Sequence, residues 1–251
     1  MRVIIKADSN IELAEIADDL ALAGMPDFAE AELLAPVDVK VSRLADRFPM
    51  WQISKGVTDD LLRTAEVNLP HLAVVMAPGD EPVEKRALSH LRCSLRLVKS
   101  KKRLRGGPAR LLVGFDGSNG AIHAVNTVTS RVWPGLTEVK LIAAADAEMI
   151  ASIGRFNPDI AGVAAEAEYA SKWIKTLAAG SVRRLENKGL TVTVESRLGR
   201  PVDVLSNEAK RWGADTLFVG SSADVNRQEA SRSALAFKIS AASQCTVELC
   251  R

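Results

Sequence analysis

The chain has 251 residues, room for one large domain or for two of about 125 residues each. Its 33 Lys and Arg against 31 Asp and Glu leave a formal charge of +2, without the basic excess of a dedicated nucleic-acid binder. Hydrophobic residues at 47% and charged residues at 25% exclude bulk disorder, and three cysteines argue against a disulfide-stapled secreted scaffold. No apolar run approaches the roughly 18 to 20 residues that cross a bilayer. The opening Met1 to Asp8 meets acidic residues before a long apolar stretch forms, so it does not read as a signal peptide. The expectation is a cytoplasmic, compact α/β protein.

In chain order, Arg2 to Asp8 is a short apolar run ending in aspartate, too short for a helix and suited to a buried strand. The region from Val37 to Phe48 is a short connection, His71 to Met76 is a further strand, and Cys93 to Lys99 closes the first stretch. Lys99 to Arg105 then carries five Lys or Arg in seven residues, followed by the chain breaker Gly106-Gly107-Pro108. With no aromatic residues interleaved to stack on bases, this run reads as a solvated linker. Arg110 to Phe115 is a strand and Asp116-Gly117-Ser118 its turn. Ala121, Ile122, Val125, Val128 and Val132 follow at helical spacing.

Pro134-Gly135 ends that helix, and Glu138 to Ala145 is the next strand. A long helix is predicted from Asp159 to Lys188, with Ala170, Trp173 and Leu177 facing inward and Gly189 as C-cap. The strand Thr191 to Ser196 precedes a helix whose apolar face is Val202, Leu205, Ala209 and Trp212, capped by Gly213. Thr216 to Val219 is a strand, Ala230 to Ser243 a helix, and Thr246 to Cys250 the last strand. Strands separated by helices pair in parallel through right-handed crossovers, so the sheets are open and doubly wound.

The elements also repeat. RVIIKAD at Arg2 to Asp8 answers RLLVGFD at Arg110 to Asp116, and CSLRLVK at Cys93 to Lys99 answers CTVELCR at Cys245 to Arg251. Between them Asp60-Leu61-Leu62 with His71 to Met76 answers Asp203-Val204-Leu205 with Asp215 to Gly220. Three anchors in one order define two homologous halves. The expected domains are a truncated copy at 1–100, a basic Gly/Pro linker at 101–108, and a full copy at 109–251. Only 16 residues separate Met76 from Cys93, against 24 between Gly220 and Cys245. The first half is thus shortened beyond its fourth strand, where such sheets bind ligands, and reads as structural.

The second half resembles the universal stress protein family. The resemblance rests on Leu111 to Ser118, Gly199 to Leu205, Gly213 to Ser221 and the closing Cys245 to Leu249. It implies two tandem five-stranded parallel sheets, each ordered 3-2-1-4-5, paired as a pseudo-dimer, often through their last strands. Many members bind ATP through a Gly-x-x-Gly-x9-Gly-Ser/Thr signature after the fourth strand, where bare backbone can approach a phosphate. Here Gly220 keeps the first position, while Ala223, Ser233 and Ala234 replace the other three.

By the resemblance, a bound adenine nucleotide would be met by Asp116, Ala144, Val219, Gly220, Ser222 and Ser233. Asp116 would stand near the base and ribose. Arg227 and Arg232 in the same loop offer charge-assisted donors, although a solvated helix start is the favoured explanation of them.

No catalytic or metal-binding set assembles. His71, His90 and His123 read as surface or helix-end residues, and no paired metal-ligand spacing occurs. Cys93 and Cys245 hold equivalent positions suited to packing, on strands that a pseudo-dimer would bring close. Asp18-Asp19 and Asp59-Asp60 are adjacent on helices and diverge toward solvent. Trp51, Trp133, Trp173 and Trp212 read as core. Two readings stay open: a non-catalytic interaction or regulatory module of a stress response with a degenerate pocket, or an ATP-binding regulatory protein. Partners would be proteins or a second copy, as a dimer of tandems, with no membrane or specific nucleic acid.

Overall fold

The computed structural model describes residues 1–56, 60–77, 90–100, 108–145, 163–221, 235 and 237–251. In the first half the strands are β1 (Arg2–Lys6), β2 (Glu30–Leu34), β3 (Gln52–Lys55), β4 (Leu72–Met76) and β5 (Ser94–Val98). Between them run α1 (Asn10–Ala21), α2 (Ser42–Arg47) and α3 (Leu61–Asn68). The second half has β6 (Arg110–Gly114), α4 (Asn119–Thr129), β7 (Glu138–Ala145), α5 (Val163–Glu186), β8 (Thr191–Leu198), α6 (Pro201–Trp212), β9 (Thr216–Gly220) and β10 (Thr246–Cys250).

Local chemistry sets these boundaries. Ser9 and Ser118 cap α1 and α4, each accepting from a first-turn backbone N–H. Pro201 opens α6 and Gly213, at φ +68°, closes it.

All ten strands form one sheet, ordered β3-β2-β1-β4-β5-β10-β9-β6-β7-β8. Each half therefore has the order 3-2-1-4-5 with parallel neighbours, and the seam is the antiparallel pair β5–β10. That seam uses the last strand of each half and leaves β3 and β8 as the edges. Most interior strands are buried on both faces, which is why they read as mostly apolar runs rather than alternating ones.

Four apolar clusters flank the sheet. Leu13, Ile16 and Leu20 of α1 pack on β1 and β4, and Val125 and Val128 of α4 with Ala178 and Leu185 of α5 pack on β6 and β7. On the other face Leu205 and Ala209 lie over β6 and β9. Phe237 reaches across the seam to Leu61, Ala65 and Leu95. A second crossing joins Gly24 to Trp133: a β-carbon on Gly24 would stand 2.8 Å from the indole, and the Val132 N–H donates to the Gly24 carbonyl at 3.0 Å.

Two predicted helix faces need correction. Trp173 and Leu177 are 39% and 41% exposed, and the buried stripe of α5 is Ile174, Ala178, Ser181 and Leu185, one residue further along. The side chain of Ala170 lies outside the described residues, as do 159–162, the predicted start of this helix. Val132 falls beyond the end of α4 and is 70% exposed, while Ile122 is half-buried.

The seam also buries charge. Arg96 on β5, 1% exposed, donates through Nε to Asp19 at 2.6 Å, through Nη1 to Glu248 at 2.8 Å and through Nη2 to the Thr216 hydroxyl at 3.0 Å. The other oxygen of Glu248 takes Arg131, whose second nitrogen donates to the Ala23 carbonyl at 3.1 Å. Thr246 donates to Asp19 at 2.6 Å. Two guanidinium groups and two carboxylates thus neutralise one another, which a dry interior requires. Asp19 is therefore half-buried in this network, contrary to its expected solvent role, whereas Asp18 is exposed beside Arg47 at 3.3 Å. Asp59 lies outside the described residues, and Asp60 caps α3.

Candidate functional site

The expected site lies at the carboxyl ends of β9, β6 and β7, three neighbours in the sheet. Val113 stands opposite Phe218, and Gly114 opposite Ile142. Two residues further along, that register sets Asp116 level with Ala144 and Gly220 level with Phe115, so the three lie within one residue of a common level.

Asp116 is exposed, and its carboxylate accepts the Ser118 N–H at 2.9 Å across a turn made possible by Gly117 at φ +80°. Ala144 is half-buried, whereas Val219 is buried and packs with the α6 cluster. Ser222 and Ser233 lie outside the described residues, as do Ala223, Arg227, Arg232 and Ala234.

Gly220 has a close neighbour. A β-carbon built on it would stand 1.7 Å from the Gly120 carbonyl oxygen and 2.0 Å from its carbon. The first turn of α4 is therefore seated directly on the end of β9, backbone against backbone. Ser221, the next residue, is buried and donates its N–H to the Cys250 carbonyl at 2.8 Å. On the opposite side of the turn, a β-carbon at Gly117 would meet Leu177 Cδ1 at 3.0 Å. Leu177 thus covers the Asp116 turn, not the core beneath its own helix.

The matching end of the first half is tied down by its own side chains. Lys55 Nζ donates to the carbonyls of Pro36, Val37 and Val39 at 2.6, 3.1 and 3.2 Å. Asn10 bridges the same segment, donating to Asp38 and accepting from the Lys40 N–H.

No protein-family profile matches the sequence, and no curated protein does. Solved structures do. A universal stress protein from Archaeoglobus fulgidus DSM 4304 superposes with TM-score 0.64 at 13% identity, over 100% of this chain and 96% of that one. The chain has the universal stress protein fold. A protein of unknown function from Pseudomonas aeruginosa PAO1 matches 99% of the chain and 92% of its own, with TM-score 0.62 at 15% identity. Identities this low speak to the fold alone.

Away from these strand ends, His71, His90 and His123 are all exposed. His71 Nδ1 accepts the Arg2 N–H at 3.0 Å. Among the described residues no group of three His, Cys, Asp or Glu could hold a metal. Among them, too, no helix is long and apolar enough to cross a membrane. Trp51 is buried, and Trp133 and Trp212 are half-buried, in keeping with core roles that Trp173 does not share.

The antiparallel seam brings the strands of Cys93 and Cys245 together but places the two residues at opposite ends of it. Arg251 binds Ser94 at one end, and Lys99 meets Thr246 at the other. The buried charges Arg96, Arg131 and Glu248 were not among the sequence candidates. The signal available was a charged residue in the middle of each closing strand.

Proposed function

We propose that this chain is a non-catalytic interaction or regulatory module of a stress response, with a degenerate nucleotide pocket in its second half. The observation that carries the reading is the seat of Gly220. Of the signature glycines it is the one retained, and contact with Gly120 demands a glycine there whether or not a phosphate ever arrives. The other three signature positions hold Ala223, Ser233 and Ala234, so no glycine remains that only a ligand would explain.

In this reading 1–100 is a truncated copy, 101–108 a linker and 109–251 the more complete copy. The equal strand order on both sides of the seam supports that division. Its partners are proteins or a second copy, and its setting is cytoplasmic.

One observation favours a second reading, an ATP-binding regulatory protein. The register gathers Asp116, Ala144 and Gly220 at one end of three adjacent strands, and Asp116 is exposed there. Thermal shift with ATP, ADP and AMP, with and without magnesium, separates the two. Ligand at about 100 times its dissociation constant adds about 2.7 kcal/mol to stability. The proposed module shows no shift with any nucleotide. A shift in the parent that disappears in Asp116→Ala would replace it with the nucleotide-binding reading.

A further inference from the structure

Arg96 and Glu248 hold the same place in the two halves. Cys93 to Lys99 aligns with Cys245 to Arg251 at an offset of 152 residues, which is also the separation of this pair. In the ladder they stand directly opposite each other, flanked by Leu97 against Val247 and Leu95 against Leu249. Two residues that are both equivalent and opposed mark the two-fold axis relating β5 to β10. The flanks on either side of that axis are apolar on both strands and would accept either strand as partner. The axis would not. A second β10 laid on β10 in this register sets Glu248 against Glu248, and β5 on β5 sets Arg96 against Arg96.

Each half satisfies only part of its axial charge. Arg131 takes one oxygen of Glu248, and Asp19 takes the Nε of Arg96. The remaining oxygen of Glu248 and the two Nη groups of Arg96 find partners only across the seam, in each other and in Thr216. Glu248 is 0% exposed in the paired sheet, so a like pair that buried it as fully would leave that oxygen with neither water nor a cation.

We propose that the Arg96–Glu248 pair selects the partner of β10, directing the second half to a first half and rejecting a second copy of itself. The surface is the β10 edge, and its fitting partner is a strand with a cation at the axis. Such selection is a difference between two affinities and includes a repulsive part.

The test uses the full chain carrying a protease site between Gly106 and Gly107, cut after folding, unfolded in urea and refolded. Native mass spectrometry then counts mixed and like pairs of the two pieces. The parent is expected to give mixed pairs at least about tenfold over either like pair. Glu248→Gln, which keeps the side chain's size and removes the charge, is expected to move the count toward the statistical mixture by admitting pairs of second halves.

A parent that already gives the statistical mixture overturns the proposal without recourse to any variant. A Gln variant as selective as the parent overturns it too, as does a parent whose pieces refold without pairing.

Discussion

Gly220 and Gly120 touch through their backbones, with the Gly120 carbonyl oxygen occupying the space where a β-carbon of Gly220 would be. Neither partner is a flexible side-chain end that can swing aside, so any side chain at 220 must push α4 off the sheet. Gly220→Ala is therefore expected to lose about 3 kcal/mol, in the upper range for overpacking. Gly189→Ala is the comparison: its site is open and only its φ of +77° resists, costing about 1 kcal/mol. Urea unfolding of the two variants checks the order. Equal losses would mean that the contact has room to relax, and Gly220 would again need a ligand to explain it.

Acid should loosen the seam. Burial by itself raises the Glu248 carboxyl, but the charges of Arg131 and Arg96 outweigh it and leave the group below its ordinary range. A pKa depressed by folding contributes stability above the unfolded value of about 4.3, and that contribution is lost as pH falls through the folded value. The groups around it are Asp19, which shares Arg96, and the Cys250 thiol, pushed up to about 12 by burial and so neutral throughout.

The urea midpoint is thus expected to hold from pH 7 to about 5 and to fall below that. Glu248→Gln should have a shallower fall, since the Glu208 carboxyl is also held low and keeps its own share. An unchanged acid slope in the variant would place the pH dependence elsewhere.

Much of this architecture was legible in the sequence because strands buried on both faces are mostly apolar runs. Glu138–Ala145 and Thr246–Cys250 could be read to the residue. The repeat gave the 3-2-1-4-5 order through the family resemblance. Helix faces were less legible: in α5, Trp173 and Leu177 each sit one position ahead of the residue that is buried, because a small-residue stripe of Ala178 and Ser181 makes the contact.

The role of Gly220 was hidden for a different reason. A glycine kept for a phosphate and a glycine kept for a helix look alike until the neighbouring backbone is seen. The charged seam was hidden because a lone Arg or Glu in a strand reads as surface. Only alignment of the two closing strands pairs Arg96 with Glu248.

The cysteines should separate by reactivity. None of the three forms a disulfide, and Cys93 is half-buried while Cys245 and Cys250 are buried. Burial raises both the Cys93 and Cys250 thiols, Cys250 further, and the thiolate is the reactive form. Iodoacetamide on the native protein is expected to label Cys93 slowly and to leave the other two until urea unfolds the chain. Peptide mass spectrometry reads this directly. Native labelling at Cys250 would mean that β10 opens without global unfolding.

A second buried charge lies away from the seam, and its energetics can be predicted by a cycle of substitutions. Lys140 on β7 reaches Glu208 of α6 at 2.8 Å and Glu195 of β8 at 2.9 Å, and it stands 5.0 Å from the Trp212 ring centroid. The Lys140 and Glu208 side chains are 8% and 3% exposed. Lys140→Met leaves Glu208 buried with Arg211 as its remaining partner, at 2.7 Å, so the expected loss is about 2 to 3 kcal/mol, below that of a fully stranded carboxylate.

Removing both members with Lys140→Met and Glu208→Leu clears the charge and restores apolar volume beside Trp212. Arg211 is then free to close on Glu195, already 3.8 Å away. The double variant is expected within about 1 kcal/mol of the parent, because well-packed apolar groups replace a buried ion pair at little cost. A double variant less stable than Lys140→Met alone would show that Lys140 and Glu208 contribute separately, not as a pair.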